Sequence, residues 1–168
     1  MKKIGLLSDT HSYLDPKVFE YFNLCDEIWH AGDIGDEAIA DQLKKFKPLI
    51  AVSGNIDGTP IRSSYPVDQI FLCEKIKVFI THIGGYPGNY FPEIRKKIIQ
   101  HQPGLFICGH SHILKVMRDK EFTLLHINPG AEGKTGFHKM RTIVRFEITE
   151  HRIENLEVIE LGLRGAID

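Results

Sequence analysis

The first fifty residues alternate between apolar runs that fit buried strands and segments with helical periodicity. Strands are predicted at residues 4–8, 27–30 and 48–52. Between them, Asp15-Pro16 and Asp36 are helix-start signals, and each precedes apolar residues at helical spacing. This order is typical of a parallel sheet, because parallel neighbours need a long crossover connection.

The remainder of the chain predicts further strands and one more helix. Strand-like runs occupy residues 69–73, 77–81 and 105–108, and Pro92 opens a helix. After Gly109, strands are predicted at residues 113–117, 122–127, 142–148 and 153–159, joined by short loops that favour antiparallel pairing. The chain is therefore predicted to be one α/β domain, residues 1–168, with two sheets packed face to face and helices outside. Residues 162–168 are predicted to be a frayed tail.

Five polar segments follow predicted strands and offer oxygen or imidazole nitrogen but no thiolate. They are Asp9-Thr10-His11, Gly32-Asp33, Gly54-Asn55-Ile56-Asp57, Thr81-His82 and Gly109-His110-Ser111-His112. Loops that leave successive strands can converge on one point, where these groups would suit two divalent cations of the Mn, Fe, Zn or Mg type. Such a pair of ions is an apparatus for cleaving phosphate esters.

The spacing within these segments supports shared ligation. Asp9 and His11 lie two residues apart, as do His110 and His112. In an extended backbone such residues point to the same side, so each pair can reach one ion. The glycine before Asp33 permits a tight turn close to the metal.

In this order, the five segments resemble the signature of the calcineurin-like metallophosphoesterases, specifically their small bacterial and archaeal phosphodiesterase branch. The resemblance implies an αββα sandwich of two mixed β-sheets flanked by helices. It also implies two metal sites. Their ligands would be Asp9, His11, Asp33 and His112 for the first ion, and Asp33, Asn55, His82 and His110 for the second, with Asp33 bridging.

The same resemblance implies a dimetal-dependent phosphodiesterase, a hydrolase in which a metal-bridging hydroxide attacks phosphorus. His11, Asn55 and His82 are predicted to take part in catalysis as well as in ligation. Two divalent ions per chain are expected, with manganese as the first choice and iron, zinc, nickel or magnesium as alternatives. The expected substrate is a small phosphodiester or a nucleotide-like molecule.

Composition limits the partners and the location. The net charge of -1 provides no basic excess, so no stable nucleic-acid complex is expected. No apolar stretch approaches the ~20 residues that cross a bilayer, so no membrane association is expected. Of the three cysteines, Cys25, Cys73 and Cys108, the last two lie inside apolar runs and are interpreted as buried thiols of a cytoplasmic protein. A homo-oligomer is left open.

Two positions depart from the family pattern. Many relatives have a histidine after the metal-binding asparagine, where it serves as general acid, whereas this chain has Ile56. Leaving-group protonation then falls to His11, to a metal-bound water or to no acid at all. Relatives also commonly follow the lone histidine with Gly and a second polar residue, whereas His82 is followed by Ile83. The pocket wall is therefore expected to differ here.

Several residues have both a structural and a functional interpretation. His30 either orients Asp33 or ends its strand, and Asp57 is a turn-former or a partner of the ligands. Surface or structural roles are expected for His101, His126, His138 and His151, although His138 could also line the pocket. Residues 84–91 are a plain connection or a lid whose Tyr86, Tyr90 or Phe91 stacks on an aromatic or nucleobase leaving group.

Two functions of other kinds compete with the phosphodiesterase. Some relatives keep this sandwich as a catalytically silent scaffold in larger assemblies, but those tend to lose ligand residues and this chain retains all of them. A phosphomonoesterase or protein phosphatase is disfavoured by Ile56 and by the short chain. A nuclease ranks low because no basic excess is available to hold a long strand.

Overall fold

The computed structural model describes residues 1–165 and contains ten strands and four helices over that range. The strands are β1 (Lys2–Leu7), β2 (Glu27–His30), β3 (Leu49–Ala51), β4 (Asp68–Cys73), β5 (Ile76–Thr81), β6 (Leu105–Ile107), β7 (Lys115–Asp119), β8 (Leu124–Asn128), β9 (Met140–Thr149) and β10 (Arg152–Leu163). The helices are α1 (Lys17–Tyr21), α2 (Glu37–Phe46), α3 (Thr59–Ser64) and α4 (Pro92–His101).

The strands form two mixed five-stranded sheets. The first has the order β10-β9-β1-β2-β3, and its β1, β2 and β3 run parallel to one another. The second has the order β4-β5-β6-β8-β7, with β5, β6 and β8 parallel. Antiparallel β4 and β7 are the edge strands of the second sheet, and antiparallel β9 and β10 complete one side of the first sheet. The predicted αββα sandwich is confirmed.

Three apolar clusters separate the layers of this sandwich. Successive strand residues point to opposite faces, so Leu6 packs between the sheets while Leu7 packs under the helices. The face of the first sheet that carries Leu6 packs against Val78 and Ile107 of the second sheet in the central core. The outer face of the second sheet is covered by α4, which buries Ile94 and Ile98. Both sheets are thus covered on both faces, as α/β domains with parallel strands require.

The structure corrects two expectations. Helix α3 was absent from the predicted elements, because its six residues are too short to display a helical apolar stripe. The prediction of a frayed tail is wrong for residues 162 and 163, because β10 runs to Leu163 and pairs there with Met140. The Arg164 guanidinium also donates to the carbonyl oxygen of His138, at 2.9 Å. The end of the predicted tail, residues 166–168, lies outside the described residues.

None of the helices within residues 1–165 combines the length and the apolar character needed to cross a bilayer.

Candidate metal centre

All five predicted segments lie at the carboxyl ends of parallel strands and meet at one edge of the sandwich. In the first sheet, Asp9 follows β1, Asp33 follows β2 and Asn55 follows β3. In the second sheet, His82 follows β5 directly and His110 follows β6. The carboxyl ends of parallel strands are where open α/β sheets place their ligand sites. The topology therefore brings together groups that are about a hundred residues apart in sequence.

Five of the seven predicted ligand residues have a left-handed backbone. Their φ angles are 55° at Asp9, 46° at His11, 55° at Asp33, 68° at His110 and 59° at His112. The expectation of an extended backbone at the Asp-x-His and His-x-His pairs is therefore wrong, and sharp turns rather than strand alternation aim these side chains. Such conformations are unfavourable for residues other than glycine, and they concentrate at functional sites.

Asp9, His11 and His112 form the first group of candidate ligands. Their ligand atoms all lie within 4.8 Å of one another. The Nε2 atom of His112 is 3.1 Å from Oδ1 of Asp9, and Nε2 of His11 is 3.7 Å from the same oxygen. One carboxylate oxygen and two imidazole nitrogens thus surround a common point.

Asp33, His82 and His110 form the second group, with ligand atoms also within 4.8 Å of one another. Asn55 joins this group, since its Oδ1 lies 3.0 Å from Nδ1 of His110. The Oδ2 atom of Asp33 is 3.2 Å from Nε2 of His82 and 3.5 Å from Nε2 of His11. Asp33 therefore lies between the two groups, where a bridging ligand would have to be.

Each of the two carboxylates keeps one oxygen in protein hydrogen bonds and presents the other to imidazoles. Oδ2 of Asp9 accepts from the Ser8 hydroxyl at 2.6 Å and from the His110 amide at 3.1 Å. Oδ1 of Asp33 accepts from the Ile56 amide at 3.0 Å. These donors hold the carboxylates in place and leave Oδ1 of Asp9 and Oδ2 of Asp33 facing the site.

Three buried atoms in the site have no hydrogen-bond partner among residues 1–165. They are Oδ1 of Asp9, Nε2 of His11 and Nε2 of His82. The Nδ1 atom of His82 lies 2.7 Å from the Ala31 carbonyl oxygen, which can only accept, so Nδ1 carries the ring proton. The lone pair on Nε2 then points into the site. Buried polar atoms are normally satisfied, and oxygen and imidazole donors of this kind suit divalent ions, so the residues fit the metals that the resemblance implies.

The electrostatics of the site favour cations. Burial opposes ionisation of Asp9, but the imidazoles of His11 and His112 beside it hold the pKa of this carboxyl below its ordinary value. Burial also opposes ionisation of Asp33, but the neighbouring His82 imidazole lowers the pKa of that carboxyl. The Asp9 carboxylate in turn raises the pKa of His11. A pocket that keeps carboxylates ionised and stabilises protons on nearby imidazoles will also stabilise metal cations.

Asp57 holds two of the ligand loops against each other. Its carboxylate accepts from the amides of Gly35 and Gly54, each at 2.7 Å, and from the Ile34 amide at 3.2 Å. This agrees with the expected role as a partner of the ligands. Gly54 is required here because a Cβ atom at that position would lie 2.1 Å from Oδ1 of Asp33. The glycine lets the third loop approach the second closely enough for both to serve one site.

His30 connects the first and second ligand loops. Its Nδ1 accepts from the Gly32 amide at 3.1 Å, so the ring proton lies on Nε2, which donates to the Thr10 hydroxyl at 3.0 Å. That hydroxyl donates to the Ile34 carbonyl at 2.9 Å. Burial lowers the pKa of His30 to about 4, so the ring is neutral. His30 therefore positions the backbone around Asp33 and does not contact its carboxylate within the described hydrogen bonds.

His138 orients His112. The Nε2 atom of His138 lies 2.8 Å from the Gly133 carbonyl oxygen and must donate to it. Its Nδ1 is then an acceptor, and Nδ1 of His112 donates to it across 3.1 Å. Burial lowers the pKa of His138, which keeps this acceptor unprotonated. The result is an Nε2 lone pair on His112 that faces Asp9. The sequence indicated only that His138 could line the pocket, and it gave no sign of the pairing with His112.

We expect His138→Ala to weaken divalent metal binding about 10–100-fold, the usual cost of losing a partner that orients a metal-ligating imidazole. The measurement is a Mn²⁺ titration of metal-free protein. Exposed His151 provides the matched control, and His151→Ala should bind as the natural chain does. His138→Gln restores an acceptor at this position and should recover part of the loss. Equal affinity of His138→Ala and the natural chain would contradict the role assigned to His138.

The other singled-out residues are distributed between the core and the surface. His126 is buried against Tyr90, whose hydroxyl lies 3.3 Å from its Nδ1. Tyr90 also packs on Phe106, so it belongs to the core and is not available to stack on a substrate. Tyr86 and Phe91 remain exposed. All three cysteines are free and buried, as was predicted for Cys73 and Cys108.

A two-sheet sandwich with paired carboxylate and imidazole groups at its strand ends defines a class of proteins built to hold two divalent ions. A model of the calcineurin-like phosphoesterase superfamily domain matches residues 1–151, and the chain belongs to this superfamily. Members use divalent metal ions in phosphoester hydrolysis, and the two ligand groups described above accord with that chemistry.

Individual proteins support the same assignment. A probable metallophosphoesterase of Methanocaldococcus jannaschii is 31% identical over 135 residues, which cover 76% of this chain and 67% of that protein. An archaeal phosphodiesterase of known structure superposes with a TM-score of 0.76 at 24% identity, covering 95% of this chain and 99% of the other. Vps29 of Chaetomium thermophilum superposes with a TM-score of 0.74 at 15% identity, covering 96% and 97%. The two structural likenesses show a shared fold.

Proposed function

We propose that this protein is a metal-dependent phosphodiesterase that acts on small diesters. The observation that carries the proposal is the pair of ligand groups with Asp33 lying between them, in which three buried ligand atoms have no partner. The proposed ligands are Asp9, His11, Asp33 and His112 for one ion and Asp33, Asn55, His82 and His110 for the other, with manganese as the preferred metal. When bound, the ions supply Lewis acidity and a water of lowered pKa as nucleophile.

The chain's own residues prepare the site for this chemistry. The Ser8 hydroxyl and the amides of His110 and Ile56 hold one oxygen of each carboxylate, so little reorganisation accompanies ligation. Ala31 and His138 hold the Nδ1 protons of His82 and His112 and direct the Nε2 lone pairs inward. Preorganised ligands of this kind are worth more than the same groups on mobile loops.

A preference for diesters is supported by Ile56, which has no side-chain proton to donate to a leaving group. Ile56 has its amide on Asp33 and its side chain 46% exposed at the rim of the site. It cannot protonate a departing oxygen as the histidine of many relatives does. Substrates with good leaving groups need that proton least. Once two divalent ions are bound, their positive charge exceeds the negative charge of the two carboxylates by about two units. The site would therefore attract a singly charged diester.

A scaffold without catalytic activity is the competing proposal, and the likeness to Vps29 is the observation that favours it. Against it stands the complete set of seven candidate ligands, including the strained backbone that aims five of them. A scaffold has no need for either. A phosphomonoesterase is the other alternative, and Ile56 again weighs against it.

Metal content and turnover decide between these proposals. We expect about two equivalents of Mn²⁺ per chain after reconstitution of metal-free protein and dialysis, measured by elemental analysis. Bis(p-nitrophenyl) phosphate should be hydrolysed by this form, and a chelator should abolish hydrolysis until metal is restored. p-Nitrophenyl phosphate, which has the same leaving group, serves as the monoester comparison. Folded protein that retains no metal would exclude the enzyme, and faster hydrolysis of the monoester would favour a phosphomonoesterase.

A further inference from the structure

A cavity of about 480 Å³ opens beside His110 on the second-sheet side of the metal centre. Its walls come from the loop after β5, the loop after β6 and the strands β7 and β8. His110 is both a candidate metal ligand and part of this wall. The cavity therefore adjoins the metal centre through His110.

The rim of the cavity is formed by apolar side chains that the fold leaves in contact with solvent. Ile83 is 38% exposed, Tyr86 47%, Phe91 51% and Ile113 62%. Four large apolar groups around one concave surface are unusual for a protein exterior and are typical of ligand sites. Ile83 directly follows the candidate ligand His82, so part of this apolar wall adjoins the metal centre.

The floor of the cavity is polar but satisfied. Asn128 donates to the Gly109 carbonyl and the Ser111 hydroxyl and accepts from the Gly130 amide. His126 lies beneath the cavity and is held by Tyr90. These contacts fix the floor without consuming the open space above it. The cavity is thus preformed, as pockets for small molecules usually are.

Lys115 gives the cavity a charge. Its Nζ lies 4.8 Å from the centroid of the Tyr86 ring, on the cavity wall. No carboxylate is among the lining residues that the structure describes. A cation on an aromatic wall, with no anion beside it, complements a flat ring that carries hydrogen-bond acceptors at its edge.

The leaving group would lie outside this cavity, in a different part of the site. In the proposed function the leaving group departs beside position 56, and Ile56, whose amide contacts Asp33, does not line the cavity. The substituent that stays on phosphorus is therefore the one that can occupy the space beside His110.

We propose that this cavity binds an aromatic ester substituent that remains on the phosphorus during hydrolysis. Its ring lies against Tyr86 and Phe91, and its acceptor atoms face Lys115. This inference rests on the proposed function and specifies its substrate class: aryl or nucleoside phosphodiesters. The two sources share an aromatic ring and differ in the acceptors at its edge.

Three diesters with one common leaving group test the proposal. They are ethyl, phenyl and thymidine-5′ p-nitrophenyl phosphate, so leaving-group chemistry is constant. We expect kcat/KM for the phenyl and thymidine esters to exceed that of the ethyl ester by about fivefold to tenfold, the usual gain from aromatic contacts. If kcat/KM is higher for the thymidine ester than for the phenyl ester, and Lys115→Gln removes this difference, the ring that binds is a nucleobase. If kcat/KM for the phenyl ester is at least as high as for the thymidine ester, the ring that binds is a simple aryl group.

Variants of the cavity residues test where in the protein the preference for aromatic esters arises. Tyr86→Ala and Phe91→Ala should each reduce the aromatic-to-ethyl ratio towards one. Ile99→Ala is the matched control, because Ile99 is 51% exposed on α4 and does not line the cavity. Equal kcat/KM for all three esters, or a ratio unchanged in both aromatic variants, would overturn the subsite while leaving the phosphodiesterase intact.

A binding measurement tests the cavity without turnover. Calorimetric titration of the metal-loaded protein with phenylphosphonate and ethylphosphonate should show tighter binding of the phenyl compound by a similar factor. Tyr86→Ala should remove the difference. Equal affinities in the natural chain would overturn the proposal even if no diester were hydrolysed, so failure of the subsite and failure of the enzyme are distinguishable.

Discussion

Asp33→Ala should lose at least about 10³-fold in kcat, which exceeds the usual loss from one oxyanion-hole donor. The reason is its position: Oδ2 lies within 3.5 Å of His11 and 3.2 Å of His82, so a single carboxylate serves both ligand groups. Metal content should fall below two equivalents. The measurements are turnover of bis(p-nitrophenyl) phosphate at saturating Mn²⁺ and elemental analysis of the same preparation.

His82→Ala should have an effect of similar size for a related reason. Its Nε2 is buried and without a partner, and its Nδ1 is held by Ala31, so the ring has one direction in which to bind a metal. Far-ultraviolet circular dichroism and thermal melting should show that both variants fold, because the strands end before these loops begin.

The controls for both variants are His101→Ala at the end of α4 and His151→Ala on the surface, which should retain nearly full activity. Retention of most activity by Asp33→Ala or His82→Ala would show that the metal centre is misassigned.

The second large effect concerns the leaving group. Without an imidazole at position 56, kcat/KM should fall steeply as the pKa of the departing phenol rises. Ile56→His should raise activity selectively on the poorest leaving groups, by up to about 10²-fold, since general acid catalysis is worth about 10²–10⁴-fold. The change is structurally mild because the Ile56 side chain is half exposed and its amide, not its side chain, contacts Asp33.

A series of substituted phenyl diesters measures this dependence in both proteins. The best leaving groups serve as the internal control, because their departure needs no proton and should be nearly equal in the two proteins. A flat dependence in the natural chain would reveal another acid. His11 would be tested first, because both ring nitrogens of His138 are engaged by His112 and Gly133.

Much of the candidate site could be predicted because ligand chemistry is a local property of sequence. Each of the five segments follows an apolar run, and the strand-and-helix order of the first fifty residues places three of them at one sheet edge. The predicted α2 begins after Asp36, whose side chain accepts from the Ala38 amide as the start signal implied. The reason for the i, i+2 pairing was wrong, because left-handed φ angles depend on neighbouring loops and not on strand periodicity.

Contacts between distant segments account for what the sequence left open. Asp57 could be recognised as a partner of the ligands, but the three amides that it binds belong to two different loops. His138 orients His112 although 26 residues separate them. Tyr90 and Tyr86 looked alike in one loop, and packing against Phe106 and His126 placed only Tyr90 in the core.

The sequence alone therefore determined which chemical groups this protein possesses, their order, and the alternation of strands and helices that presents them at sheet ends. Those properties depend on residue type and short-range periodicity. The tertiary structure alone decided which oxygen of Asp9 and Asp33 faces the site, which imidazole nitrogens are directed inward, and that an apolar cavity lies beside His110. These depend on hydrogen bonds and packing between residues far apart in the chain, for which a single sequence carries no local signal.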